Sequence, residues 1–169
     1  MVRPRFLMEI TMGLDMYLNI NAVLKTGGNL DSRIRKDLGF RPPVDRFTRA
    51  GATVSDNIGY WHNFWPLHNW LLDQGRIDDD TAELEPKQIV LLQEICQQIL
   101  NQKPDAAMAV AAELLAADQC DADEMREHPD DYIELFRETL SICGDALRQM
   151  EVLRKSNDVY YATIEYRGC

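Results

Sequence analysis

The sequence predicts an α+β domain, about four helices packed on a small sheet that contains both the N-terminal and the C-terminal strand. Three observations lead there. Residues 14–20 alternate, with Leu14, Met16, Leu18 and Ile20 on one face and Asp15, Tyr17 and Asn19 on the other, the period of two of a half-buried strand. Residues 159–166 are rich in the β-branched and aromatic types that fit a pleated surface. Between these two runs the apolar period is helical, and two strands so far apart in sequence have each other as their simplest partners.

The elements follow in order. Residues 1–11 read as an N-terminal extension of a single domain over residues 12–169, a length of about one domain. The apolar Phe6-Leu7-Met8 is broken at once by Glu9, too short a core for a signal peptide. After the first strand, residues 25–55 are punctuated by Gly27-Gly28, Gly39 and Pro42-Pro43 and read as a long loop with a short helix near residues 30–38. Ser55 or Asp56 can cap a helix over residues 57–73, stopped by Gly75, with Pro66 predicting a kink because its ring clashes with the carbonyl of His62. Asp78-Asp79-Asp80 makes an acidic turn. Pro86 opens a second helix carrying Ile89, Leu92, Cys96 and Ile99 on one face, and Pro104 opens a third, alanine-rich one to about residue 117. Residues 118–130 read as an acidic connector. Pro129 then launches a long helix to residue 155, with Ile133, Phe136, Leu140, Cys143, Leu147 and Met150 along its stripe.

Charge divides unevenly. Residues 1–50 hold nine Lys/Arg and five Asp/Glu, whereas residues 51–169 hold nine and twenty-three, so a chain of net charge −10 carries +4 at its start and −14 over the rest. That balance repels a nucleic-acid backbone or an anionic bilayer over most approaches, and no apolar run approaches a membrane span, so neither nucleic acid nor membrane is an expected partner. The expected location is the cytoplasm. The local basic stretch that includes Arg41, Arg46 and Arg49 is suited to a small anion. Cys96, Cys120, Cys143 and Cys169 are spaced 24, 23 and 26 residues apart, without a Cys-x-x-Cys pair, and read as free thiols.

All three tryptophans and two of the three histidines fall in residues 60–70, Tyr-Trp-His-Asn-Phe-Trp-Pro-Leu-His-Asn-Trp. At helical spacing Trp61, Trp65, His68 and Leu72 share a stripe. That stripe either fills the core or walls a ligand pocket with His68 and Asn69 as polar fixers, with Tyr60 and His62 also among the candidate ligand-binding residues. His62 and His68 are six apart, on different faces of a helix, and the carboxylate clusters lack calcium-loop spacing, so no metal site and no cofactor are expected. Walker, nucleophile-elbow and Cys-His signatures are absent from the sequence.

Met12-Gly13-Leu14-Asp15-Met16-Tyr17-Leu18, then Gly59-Tyr60-Trp61 with Leu67-His68-Asn69-Trp70, then Tyr160-Tyr161 after a long helix, resemble a family of small uncharacterised phage and prophage proteins. Members typically begin at the equivalent of Met12 and carry Arg-Lys after Tyr-Trp and an Asn two further on, where this chain has His62, Asn63 and Trp65. The resemblance implies no reaction. It implies a phage accessory gene, a class that includes inhibitors of host defence.

The leading expectation is therefore a non-catalytic binding protein for a small anionic or nucleotide-like ligand, possessing an aromatic wall and the arginines of the basic loop, and sequestering a host signal. A second reading is an acidic interaction module that inhibits a host protein. A third is a small hydrolase using His68 with Asp15 or Asp73. Self-association is left open by the sequence.

Overall fold

A computed structural model describes residues 13–24, 53–78, 81–157 and 159–169, and all structural statements concern these residues. In chain order they form β1 (Asp15–Leu24), β2 (Thr53–His62), α1 (Trp65–Gln74), β3 (Arg76–Asp78), β4 (Thr81–Leu84), α2 (Pro86–Leu100), α3 (Pro104–Leu114), α4 (Gln119–Glu127), α5 (Pro129–Lys155) and β5 (Val159–Gly168). The strands make one antiparallel sheet in the order β2-β1-β5-β4-β3, so the first strand is internal and pairs with the last, which is central. The α+β class and the neighbouring terminal strands agree with the expectation. The described residues hold five helices rather than about four.

β1 shows why the chain folds this way. Met16, Leu18, Ile20 and Ala22 are fully buried and Leu24 nearly so, while Asp15, Tyr17, Asn19, Asn21 and Val23 point to the other face. Burying each of the Met and Leu/Ile side chains contributes roughly 1.5–3 kcal/mol. β5 continues both faces: Ile20 lies opposite Ile164 and Leu18 opposite Tyr166, both buried. On the other side of the sheet Asn19 lies opposite Glu165 and Tyr17 opposite Arg167. A register shift between Val23 and Leu24 turns Val159 inward and leaves Tyr160 and Tyr161 exposed, so the inward set is Val159, Ile164 and Tyr166 rather than one strict alternation.

The helices cover the apolar face. α5 spans the sheet, in contact with β1, β2 and β5, and buries Tyr132, Phe136, Thr139, Ile142, Cys143, Ala146, Met150 and Leu153. Ile133, Leu140 and Leu147, placed on its main stripe by sequence, are only partly buried. α5 approaches β2 so closely at Gly59 that a Cβ there would stand 2.6 Å from Ile142 Cγ2, too near for any other residue without a shift. Phe64 plugs the corner between β2 and α1, edge-on to Phe136 (centroids 5.2 Å apart) and to Tyr132 (5.7 Å).

The expected helix over residues 57–73 is corrected. Its first half is β2, and the helix begins only at Trp65, so Ser55 and Asp56 cap nothing and Pro66 lies in the first turn, where its missing N–H costs no hydrogen bond and no kink arises. The reversal between strand and helix is made by Asn63, whose φ of 54° is the left-handed conformation that Asn tolerates better than most residues. Its Oδ1 accepts from the Leu14 amide at 2.8 Å and its own amide donates to the Leu14 carbonyl at 2.9 Å, tying the corner to β1.

Two further elements depart from expectation. Residues 118–130 are not merely a connector: Asp118 caps α4, its carboxylate accepting from the Asp121 amide at 2.9 Å. β3 and β4 pair as a hairpin, with Asp78 of the expected acidic turn ending β3 and residues 79–80 outside the described residues. α2 begins where expected, α5 begins and ends where expected, and α3 stops three residues sooner. The extension over residues 1–11, the start at Met12 and the short helix near residues 30–38 lie outside the described residues, as does the loop expected over residues 25–55 except its last three residues, which open β2 instead.

Candidate functional site

Placing residues 60–62 on a strand separates neighbours that a helix would have grouped differently. Alternation sends Trp61 to the apolar face, where it is 1% exposed and its indole Nε1–H donates to Thr139 Oγ1 at 2.9 Å. Tyr60 and His62 go to the face that, among the described residues, carries no helix. Trp61 is thus a core residue, and the stripe joining it to Trp65 and His68 does not exist.

On the helix-free face, register puts Asp15 opposite His62 and Tyr17 opposite Tyr60. The Tyr60 hydroxyl donates to Asp15 Oδ1 at 2.6 Å, and His62 Nδ1 stands 3.1 Å from the same oxygen. The rings of Tyr17 and Tyr60 lie 5.3 Å apart, tilted by 48°. The His62 and Asp15 side chains remain about half exposed, 54% and 43%. The hydrogen bonds from Tyr60 and His62 hold the Asp15 carboxyl below its ordinary range, so it is ionised and accepts only. The same bond pushes the Tyr60 phenol up to about 12, since losing its proton would leave two anions in contact. Because an ionised Asp15 cannot donate, His62 presents Nδ1–H to it.

The backbone holds this arrangement from both sides. Gly13 lies directly under the His62 ring, where a Cβ would meet Cε1 at 2.7 Å. The Asp15 backbone exchanges two hydrogen bonds of 2.9 Å with Cys169, extending the β1–β5 ladder beyond Gly168. Arg167, exposed and opposite Tyr17 on β5, is a cation in register with the site.

The other face of the same sheet end carries a second group. His68, on α1, meets the Tyr166 hydroxyl through Nδ1 at 2.5 Å and stacks edge-on against Trp65, with centroids 5.6 Å apart. Burial raises the Tyr166 phenol above its ordinary range. Gly168 makes room for the pair, because a Cβ there would stand 2.7 Å from His68 Cε1 and 3.0 Å from the Tyr166 hydroxyl oxygen. Trp65 and Asn69 are exposed on α1.

The nine residues singled out by sequence therefore divide. Tyr60 and His62 join Asp15 and Tyr17 on the open face; Trp65, His68 and Asn69 stand on α1; Trp61 is interior; Arg41, Arg46 and Arg49 lie outside the described residues. The residues that flank the basic stretch, Leu24 and Thr53, sit at the far end of the strands, about 30 Å from Asp15 at 3.3 Å per residue. The expected His68–Asp15 pair is corrected as well: the Asp15 carboxylate is shared by Tyr60 and His62, and His68 Nδ1 is taken by Tyr166. Asp73, five residues beyond His68, lies on another side of α1.

A cleft of about 290 Å³ lies elsewhere, lined by Gln74, Gly75, Glu83, Glu85 and Gln88. It has no aromatic wall, and Gln88 closes a capping box with Glu85 while its Nε2 donates to the Gln74 carbonyl, so it is a helix-start joint. Among the described residues no group of three His, Cys, Asp or Glu side chains is placed to hold a metal, and no helix is long and apolar enough to cross a membrane. Cys96 and Cys143 are buried, their thiols pushed up by desolvation, the first to about 12, while Cys120 and Cys169 are exposed.

Sequence reasoning missed Tyr17 and Arg167 as site residues, although the alternation in residues 14–20 had already put Asp15 and Tyr17 on one face. Compared with protein-family models, with curated proteins and with solved structures, the chain matches none.

Proposed function

We propose that this chain is a non-catalytic binding protein of phage or prophage origin that holds a small nucleotide-like ligand on the helix-free face of its sheet and so withdraws a host signal. The observation that carries the reading is the juxtaposition on β1, β2 and β5 of a tyrosine ring pair, Tyr17 with Tyr60, a half-exposed Asp15–His62 pair, and Arg167 in register beside them. Rings of this kind stack on a base, a carboxylate takes hydroxyl or amino protons, and a guanidinium forks a phosphate. The phage origin rests on the sequence motifs alone.

Thermal unfolding with a panel of ribonucleoside 5′-monophosphates tests it. A ligand at 100 times its Kd adds about 2.7 kcal/mol of stability. For a chain of this size that is a rise in Tm of roughly 5–11 °C. No shift with any of them at millimolar concentration would overturn the reading.

The Asp15–His62 hydrogen bond favours one other reading, since a histidine oriented by a carboxylate is also the geometry of a general base. On that reading incubation with the same nucleotides yields hydrolysed product, lost in His62→Gln.

A further inference from the structure

The hydrogen-bond polarity of the open-face site selects among nucleotide parts, an inference that rests on the binding reading above. Asp15 Oδ1 already accepts from both the Tyr60 hydroxyl and His62 Nδ1. Each of those two donors has thereby committed the proton it holds toward the carboxylate. What the cluster shows to solvent is a second carboxylate oxygen and the lone pairs of the Tyr60 oxygen, both acceptors. An ionised carboxylate repels phosphate, whose oxygens also only accept. It fits a neutral group that brings two adjacent protons. In a nucleotide that group is the vicinal 2′,3′-diol of the ribose. The cation in register, Arg167, stands on the other side of Tyr17 from β2, so an anionic end has a place away from Asp15.

We infer that the Asp15–His62 pair binds the cis-diol of a ribonucleoside, with the base against Tyr17 and Tyr60 and the phosphate directed toward Arg167. The ligand class is thus a 5′-phosphorylated ribonucleoside whose two ribose hydroxyls are both free. Deoxynucleotides, 2′,3′-cyclic phosphates and inorganic phosphate fall outside it.

The test uses the wild-type chain and titration calorimetry. The probes are the ribonucleoside 5′-monophosphates, their 2′-deoxy and 2′,3′-dideoxy counterparts, and inorganic phosphate. The expected result is binding of at least one ribonucleotide, about tenfold weaker binding for each hydroxyl removed, and none for phosphate. The dideoxy form should be insensitive to Asp15→Asn, which weakens the ribonucleotide. Equal affinity for a ribonucleotide and its dideoxy form would overturn the diol assignment while leaving the binding reading intact. Binding of inorganic phosphate with loss in Arg167→Ala but not in Asp15→Asn would overturn it too, marking an anion site instead. No binding by any nucleotide would overturn the binding reading itself, and the diol assignment with it.

Discussion

Thr139→Val is a sharp probe of how residues 60–62 are placed. Thr139 is fully buried on α5, and its hydroxyl accepts from the Trp61 indole at 2.9 Å and donates to the Leu135 carbonyl at 2.7 Å. Valine keeps the shape and removes the hydroxyl. The Trp61 N–H is then stranded at 1% exposure, where water cannot replace the lost acceptor. A stranded buried donor costs about 1–3 kcal/mol, and the added methyl returns something under 1 kcal/mol. The net is about 1–2 kcal/mol, a fall in Tm of about 2–8 °C for a chain of this length. Urea denaturation followed by far-UV circular dichroism reads it without relying on tryptophan fluorescence. Trp61→Phe completes a double-mutant cycle, because with no indole N–H to strand, Thr139→Val should cost close to nothing. A neutral Thr139→Val, or the same cost in both backgrounds, would refute the inward placement of Trp61 and with it the outward placement of Tyr60 and His62.

Three more outcomes follow from the same geometry. Gly168→Ala should destabilise by about 1–3 kcal/mol, the usual scale of forced overpacking, since its Cβ would collide with His68, and the cost should shrink in a His68→Ala background; an additive pair would mean that the two do not touch. Ultraviolet titration of the phenols should show the Tyr60 step near pH 12, returning toward pH 10 in Asp15→Asn. The folded value lies above the unfolded one, so whatever stability this bond contributes is present below pH 10 and is lost as pH rises through 12. An aromatic thiol reagent should modify Cys120 and Cys169 at once and Cys96 and Cys143 only on unfolding, and prompt reaction of all four would contradict the packing of α2 on α5.

What could be read from the sequence was whatever showed a clean period. β1 alternates without interruption, and α2 and α5 carry apolar stripes long enough for a helical period to stand out. β2 hid because one residue breaks its alternation: Leu18 faces Gly59 and Asn19 faces Asn57, so Ile58 is an extra residue and the inward Gly59 has no side chain to register. The aromatic run then fitted a helix by chance, although Pro66 marks the true helix start. α4 hid because its nine residues bury only Ala122 and Met125 among several carboxylates. The site suffered from the same error. Two residues apart on a helix, Tyr60 and His62 point about 200° apart, whereas on a strand they share a face. The polar partners Asp15 and Tyr17 were legible; which residues they would meet was not, because cross-strand register depends on that bulge.

The central claim, that the helix-free end of β1, β2 and β5 is a nucleotide-binding surface, is tested most directly by nuclear magnetic resonance of the labelled full chain titrated with ribonucleoside 5′-monophosphates. Shifts of the Tyr17 and Tyr60 rings, the His62 imidazole and the Arg167 guanidinium should dominate, with the Trp61 indole signal still. Shifts centred instead on Gln74, Gly75 and Gln88, or spread along α2 and α5 with the tyrosine pair silent, would contradict it.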